Sequence, residues 1–367
     1  MNSATRWGLL CLLGWAQCAA PAMATDAPLP AMTRRVVLER IETGYRWKLI
    51  EAQIPKVGEH QILLHVRAVS LNRGDLEILE PDAQRDHTGL LVASDAAGDI
   101  VATGKLVRGL RNGMRITSTY FRNYTDGPPD ADKLAGAHGA SIDGVLGDYV
   151  LLDETSVTAM PAGLTYEEAA TLPTAGLTGW MATLGQRGVG KADTVLVQGT
   201  GGVSVFSLQF AAAAGAHVIV TSSSDDKLAH ARSIGAGDGI NYRSIPAWSD
   251  RVLEITHGHG ADIVVDVGGK ETLAQSVKSL AFGGTLSIVG GLSGYDGLLP
   301  ATRLLARVAR AQGIFVGSRA DFRRMNEFIA VHALHPVIDR VYPLEQYEEA
   351  LKQMRSGNFV GKIVFRL

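Results

Sequence analysis

A chain of 367 residues is long enough for two domains, and 46% hydrophobic residues is ample for packed cores. The formal net charge of −2 gives no reason to expect a nucleic-acid partner, and we find no internal repeat or low-complexity tract. The only two cysteines, Cys11 and Cys18, lie near the N-terminus.

Residues 1–24 read as a secretory signal peptide. Arg6 stands in a short n-region, residues 7–20 are almost wholly apolar, and Ala22-Met23-Ala24 gives a cleavage signal before Thr25. The apolar run is too short to span a bilayer, so no membrane insertion is expected after cleavage. Gln17 before Cys18 argues against lipidation. Cleavage would remove both cysteines, and with them any disulfide, catalytic thiolate or Cys-based metal site. The expected location is therefore periplasmic or secreted. A start at Met32, followed by Thr33-Arg34-Arg35, would instead leave a cytoplasmic protein.

From residue 36 to 157, short apolar runs such as 61–69 and 98–103 alternate with Gly, Asp, Asn and Pro, which predicts a β-rich domain of barrel type. Residues 166–184 read as helix interrupted near Pro173. The pattern then switches to alternating strand and helix. Strands are predicted at 194–198, 217–221, 239–242, 263–267, 284–289 and 313–317, with helices between them, for instance 270–282 and 320–333. Six such strands with right-handed crossovers make a doubly wound sheet. Residues 337–367 return to strand and helix and end in Lys362-Ile-Val-Phe365.

The most informative stretch is Thr194-Val-Leu-Val-Gln-Gly199-Thr200-Gly201-Gly202-Val203-Ser204. A short β-branched run reads as a buried parallel strand. The glycines let backbone approach a pyrophosphate, and the helix predicted at 203–214 offers free N–H groups and a positive dipole end. Gly199, Thr200, Gly201, Gly202 and Val203 are accordingly assigned to a dinucleotide. The ribose-reading position falls about 20 residues on, at Ser222. Carboxylates there favour NAD and would repel a 2′-phosphate, whereas hydroxyls with a cation suit that phosphate. Ser222, Ser223 and Lys227 therefore form the expected phosphate pocket, and NADP is the expected cofactor. Ser224 can at the same time N-cap the next helix, with Asp225 and Asp226 on its dipole.

Several further segments carry a resemblance. They are Ser70-Leu-Asn72-Arg-Gly-Asp75, Asp143-Gly144-Val-Leu-Gly147-Asp-Tyr149, Glu167 to Thr178, Gly235-Ala236, Asn241-Tyr242-Arg243, Gly313 to Arg319, and Gly361-Lys362. Together with the glycine turn they make residues 33–367 resemble the medium-chain dehydrogenases/reductases, in the branch similar to quinone oxidoreductases. The resemblance implies a GroES-like β-barrel catalytic domain, 33–157 completed by 318–367, and a Rossmann domain, 158–317, with the active site in the cleft between them. Zinc-using members place ligands at the positions of Asn72, Ser94 and Thr174, with Glu at the position of Asp95. The residues here imply no metal, and the ten histidines, His257, His259, His332 and His335 among them, read as scattered surface groups. The third turn glycine is Ser204, whose hydroxyl can pack or bond a phosphate.

With no metal expected, neutral donors must stabilise the charge that develops when hydride leaves a nicotinamide. Asn72 is the leading pocket donor, although an Asn capping a turn reads equally well, and Asp75 is expected to fix that loop. Thr174 should form the pocket floor. Tyr120 belongs to an aromatic-basic loop with Phe121, Arg122 and Tyr124 that either lines the substrate cleft or faces solvent. Tyr242 should flank the adenine or its phosphate. Gly290, Gly291, Phe315 and Gly317 should contact nicotinamide through backbone, and Lys362 should bind cofactor. No general acid stands out. The expected activity is metal-free, NADP(H)-dependent reduction of quinones or α,β-unsaturated carbonyls. The alternatives are an alcohol dehydrogenase of the same family and a non-catalytic NADPH-binding protein. The expected partners are a small-molecule carbonyl or quinone substrate and, through an apolar edge strand at 313–317, a second copy in a homodimer.

Overall fold

The computed structural model describes residues 29–82 and 85–367, so the predicted leader lies outside the described residues. The chain divides into two units, Met1–Pro30 and Ala31–Leu367, and everything below concerns the second.

Its strands are β1 (Met32–Ile41), β2 (Gly44–Gln53), β3 (Gln61–Ser70), β4 (Asp95–Thr103), β5 (Arg115–Ser118), β6 (Tyr149–Asp153), β7 (Val157–Ala159), β8 (Thr194–Gln198), β9 (His217–Ser222), β10 (Asp238–Asn241), β11 (Ala261–Asp266), β12 (Leu280–Ile288), β13 (Arg310–Gly313), β14 (Ile338–Pro343) and β15 (Lys362–Arg366). β1 and β2 form an antiparallel pair. A seven-stranded sheet runs β14-β15-β3-β4-β5-β7, with β6 also on β3. The last strands of the chain thus complete the sheet begun by the first, giving the GroES-like barrel. The six-stranded sheet, β10-β9-β8-β11-β12-β13, is parallel throughout and is the Rossmann sheet.

β8 lies at the centre of that sheet, and all five of its residues are buried. Alternate side chains face opposite helical layers. Val195 and Val197 pack with Leu208 and Ala211, while Leu196 packs with Trp248, Val252 and Leu273. Burial on both faces is why the strand is continuously apolar, and each such side chain contributes roughly 1.5–3 kcal/mol.

Three predicted elements are corrected. The segment expected as one helix over 270–282 is a short helix, Leu273–Lys278, followed directly by β12. The helix expected over 166–184 is broken as anticipated, but by a π-helical turn, Leu172–Gly176, that contains Pro173 and Thr174. The sixth strand is 310–313 rather than 313–317. Val316 has φ +56°, a left-handed conformation unusual for a β-branched residue, and it ends the extended run.

Candidate functional site

A cleft of about 450 Å³ opens where the C-terminal ends of the parallel strands meet the barrel. The glycine turn forms one wall. Gly199 has φ +73°, which a glycine adopts without strain. The helix Gly202–Ala213 begins at once, so its first N–H groups face the turn. A Cβ at Gly201 would meet no protein atom within 4 Å, which leaves that backbone open to close approach by a ligand. The turn is tied to the barrel by a bridge to Gly361, whose N–H donates to the Thr200 carbonyl at 2.9 Å.

Asn72, Gly199, Thr200, Gly201, Gly202, Val203, Ser222, Ser223, Lys227, Tyr242, Gly290, Gly291 and Lys362 all line this cleft. At its outer end Ser222 closes β9 and is only 2% exposed. Lys227 donates to the Gly357 carbonyl at 2.7 Å, which anchors its ammonium there. Burial pushes the Lys227 ammonium below its ordinary value. Ser224 occupies the N-cap position, but its side chain makes no capping bond. Ser204 donates to the Gln198 carbonyl at 2.6 Å, so this hydroxyl is spent inside the protein. Arg355, in the last turn of the helix Tyr347–Ser356, adds a cation that the sequence reading missed. The only local signal was a basic residue just ahead of the helix stop at Gly357.

At the inner end, residues far apart in sequence converge. The Lys362 ammonium donates to the Leu71 carbonyl and, at 2.6 Å, to Asn72 Oδ1. Asn72 Nδ2 donates to Ser94 Oγ at 3.3 Å. Ser94 Oγ and Thr174 Oγ1 both donate to Asp95 Oδ1 at 2.6 Å, and the Thr174 N–H donates to Asp95 Oδ2 at 3.0 Å. The π-helical turn delivers both Thr174 donors to that carboxylate. Ala93, just before Ser94, has φ +62°, a strained conformation of the kind found beside functional sites. Asp75 accepts the Asn72 N–H at 2.6 Å and so fixes this loop. Burial pushes the Asp75 carboxyl up to about 7. Burial also pushes the Lys362 ammonium down, against the opposing pull of Asp95 and Asp75.

The comparisons agree with this architecture. The family model "Alcohol dehydrogenase GroES-like domain" matches residues 58–162, and "Zinc-binding dehydrogenase" matches residues 202–331. The chain is 38% identical over 345 residues to a zinc-type alcohol dehydrogenase-like protein of Schizosaccharomyces pombe, covering 91% of this chain and 99% of that one. The chain belongs to the medium-chain dehydrogenase/reductase family. A crystal structure described as a "putative Alcohol dehydrogenase" from Sinorhizobium meliloti 1021 matches with TM-score 0.87 and 38% identity, covering 93% of this chain and all of that one. The chain is also 25% identical over 359 residues to the crotonyl-CoA reductase of Streptomyces avermitilis, covering 86% and 80% of the two chains.

This medium-chain dehydrogenase/reductase is an oxidoreductase, and its glycine-lined cleft fits the pyridine nucleotide of the family. Zinc does not fit the inner end. Structural and catalytic zinc take thiolate, imidazole and carboxylate ligands, whereas Asn72, Ser94 and Thr174 offer one amide and two hydroxyls, already bonded to one another and to Asp95. Among the described residues no group of three His, Cys, Asp or Glu could hold a metal ion.

Four predicted site residues stand away from the cleft lining, and the first is Thr174: expected as the pocket floor, it gives its hydroxyl and its N–H to Asp95, and the neighbouring Ala175 lines the cleft instead. Phe315 is 61% exposed and sets its ring edge-on to Phe121 and Tyr120, at 5.1 and 5.9 Å. Gly317 lies against Leu177 and Met181, where a Cβ would come within 2.9 Å of Met181. The parallel ladder has already ended at Gly313, before both residues, and Val316 between them has φ +56°. Tyr120 packs between Phe121 and Phe315, and burial beside Asp75 and Asp95 pushes its phenol up to about 12, so it stays protonated at working pH. Phe121 and Tyr124 are buried, so the loop they share is not simply solvated.

Proposed function

We propose that this protein is a zinc-independent, NADP(H)-dependent reductase of quinones or α,β-unsaturated carbonyls. The observation that carries the reading is the closed network of Asn72, Ser94, Thr174 and Asp95, which occupies the ground where zinc-using relatives keep their metal. The bound nicotinamide supplies hydride. The glycine turn and the first N–H groups of the helix Gly202–Ala213 hold its pyrophosphate, while Ser222, Ser223 and Lys227, with Arg355 nearby, receive the 2′-phosphate. An acceptor whose negative charge is delocalised, as in an enolate or a quinol anion, needs less oxyanion stabilisation than an isolated ketone, so a site without metal can serve it. The likeness to a crotonyl-CoA reductase supports a conjugated acceptor. The alcohol dehydrogenase names of the other relatives favour a second reading, interconversion of an alcohol and a carbonyl at the same site.

One screen decides between them: NADPH oxidation across quinones, enals and saturated ketones, run beside elemental analysis and a chelator control. Turnover of conjugated acceptors without stoichiometric zinc is the expected result. One zinc per chain, or turnover confined to ketones and alcohols, overturns the reading.

Export by the leader at 1–24 and a homodimer belong to the same proposal. A native N-terminus at Thr25, read by mass spectrometry, supports export, and a start at Met32 or Thr33 refutes it. β13 is the edge strand of its sheet, and the segment leading into it carries the exposed apolar side chains of Leu298, Leu305 and Val308, which supports a second copy as the cover of this edge.

A further inference from the structure

Lys362 was expected in the cleft as a cofactor ligand, but its burial there is unusual for a lysine. It is only 4% exposed, and lysine is rarely buried without a carboxylate partner. Here its direct partners are two neutral oxygens, the Leu71 carbonyl and Asn72 Oδ1. An ammonium carries three N–H donors, so one remains beyond these two, and Lys362 lines the cleft. Because an ammonium only donates, its bond to Asn72 fixes which amide atom is oxygen. Nδ2 must then face the other way, where it donates to Ser94 Oγ and keeps a second hydrogen. Asp95 is turned from the cleft by its own donors, Ser94 and Thr174. The Lys362 stem crosses the start of the helix Gly202–Ala213 so closely that a Cβ at Gly202 would come within 2.6 Å of its Cδ. The positive end of that helix therefore lies beside the ammonium.

We propose that Lys362 and Asn72 together form the electrophile of the site, receiving on the ammonium and on Nδ2 the negative charge that develops on the substrate oxygen. This assigns to a buried cation the task that zinc performs in metal-using relatives, and it moves Lys362 from holding the cofactor to polarising the substrate. It rests on the reading of a conjugated acceptor. Hydride, with its electron pair, adds to the β-carbon. The C=C pair shifts to form an enolate, whose oxygen lies against the two donors. Water then protonates the α-carbon, leaving hydroxide.

The test compares the full-length wild-type protein with Lys362→Met, Lys362→Arg and Asn72→Ala. Three quantities are read: NADPH affinity by fluorescence, kcat at saturating NADPH on an acceptor that the wild type reduces, and binding of 4-nitrophenol to the NADP⁺ complex. The phenolate of that dye stands in for the enolate, and its absorbance reports ionisation. Lys362→Met is expected to keep NADPH affinity within about threefold while kcat falls about 100-fold, the scale of removing one oxyanion donor. Dye affinity should fall about tenfold or more, with the bound dye less ionised. Lys362→Arg should recover part of the ionisation shift, and Asn72→Ala, which leaves the cation in place, should lose part of it. A loss of NADPH affinity with kcat unchanged at saturation would make Lys362 a cofactor ligand and overturn the proposal. Equal dye binding in wild type, Lys362→Met and Asn72→Ala overturns it as well. If the wild type reduces no conjugated acceptor, the functional reading fails, and the dye still decides the role of Lys362.

Discussion

Replacing Ser222 by Asp tests the cofactor assignment at its most sensitive point. Ser222 ends β9, is buried, and lines the outer end of the cleft together with Ser223, Lys227 and Arg355. A carboxylate there would stand in the pocket assigned to the 2′-phosphate. Two like charges sharing one pocket repel by about 1–3 kcal/mol at the effective dielectric of a partly wet site. The lower figure applies if Lys227 and Arg355 screen the pair. NADPH affinity should therefore fall by roughly 5- to 150-fold. NADH carries no 2′-phosphate and gains an acceptor for its ribose hydroxyls, so its affinity should hold or rise. Fluorescence titration of both nucleotides at low and moderate salt measures the difference, and the NADPH penalty should shrink as salt rises. A melting curve checks that the buried carboxylate has not unfolded the site. Equal losses for the two nucleotides would refute the phosphate pocket.

Three further outcomes follow from individual contacts. Ser204→Ala removes the hydroxyl donated to Gln198 and should cost about 1 kcal/mol of stability; a loss of NADPH affinity as well would show that the hydroxyl reaches the ligand. Asp75, with its carboxyl raised from 3.8 to about 7, favours the fold fully below its unfolded value and loses that contribution as pH rises through about 7. Denaturant midpoints measured across that window should fall for the wild type relative to Asp75→Asn, and parallel profiles would contradict the shift. Leu305 is 80% exposed, so Leu305→Lys should leave the fold intact and halve the mass seen by light scattering; an unchanged dimer would move the interface elsewhere.

What was legible in the sequence was local. β8 was predicted at its observed bounds because central parallel strands are apolar on both faces, and the glycine turn that follows has backbone requirements few other residues meet. Misplacements came where an apolar run serves something other than a sheet. Ile314, Phe315 and Val316 read as a strand, yet Phe315 packs on Tyr120 and Phe121, and the ladder with β12 pairs Ser287 with Gln312. That register is set by the neighbouring strand, not by the hydrophobicity of the segment. The predicted helix over 270–282 ran on for a similar reason. Leu280, Ala281 and Phe282 continue the apolar pattern, although the chain has already turned into β12.

The inner site shows the same division at longer range. Its Asn, Ser, Thr and Asp could be placed by position, and their meeting follows from β3, β4 and the turn at Pro173 lying side by side. Lys362 was assigned to the cofactor, and its bond to Asn72 was not foreseen, because the two lie 290 residues apart in sequence. Its position depends on one register, β15 antiparallel on β3 with Val364 opposite Ser70. The adjoining bond, from the Leu71 N–H to the Ile363 carbonyl, continues that register to the end of β3 and brings the Leu71 carbonyl within reach of the ammonium. A slip of one residue would turn Lys362 to the opposite face of the sheet. Gly361 guards against the slip: its φ of +78° and the 2.2 Å approach of a would-be Cβ to the Val337 carbonyl leave no room for another residue. The glycine that ties the barrel to the dinucleotide turn is thus also the residue that holds the buried cation in register with Asn72.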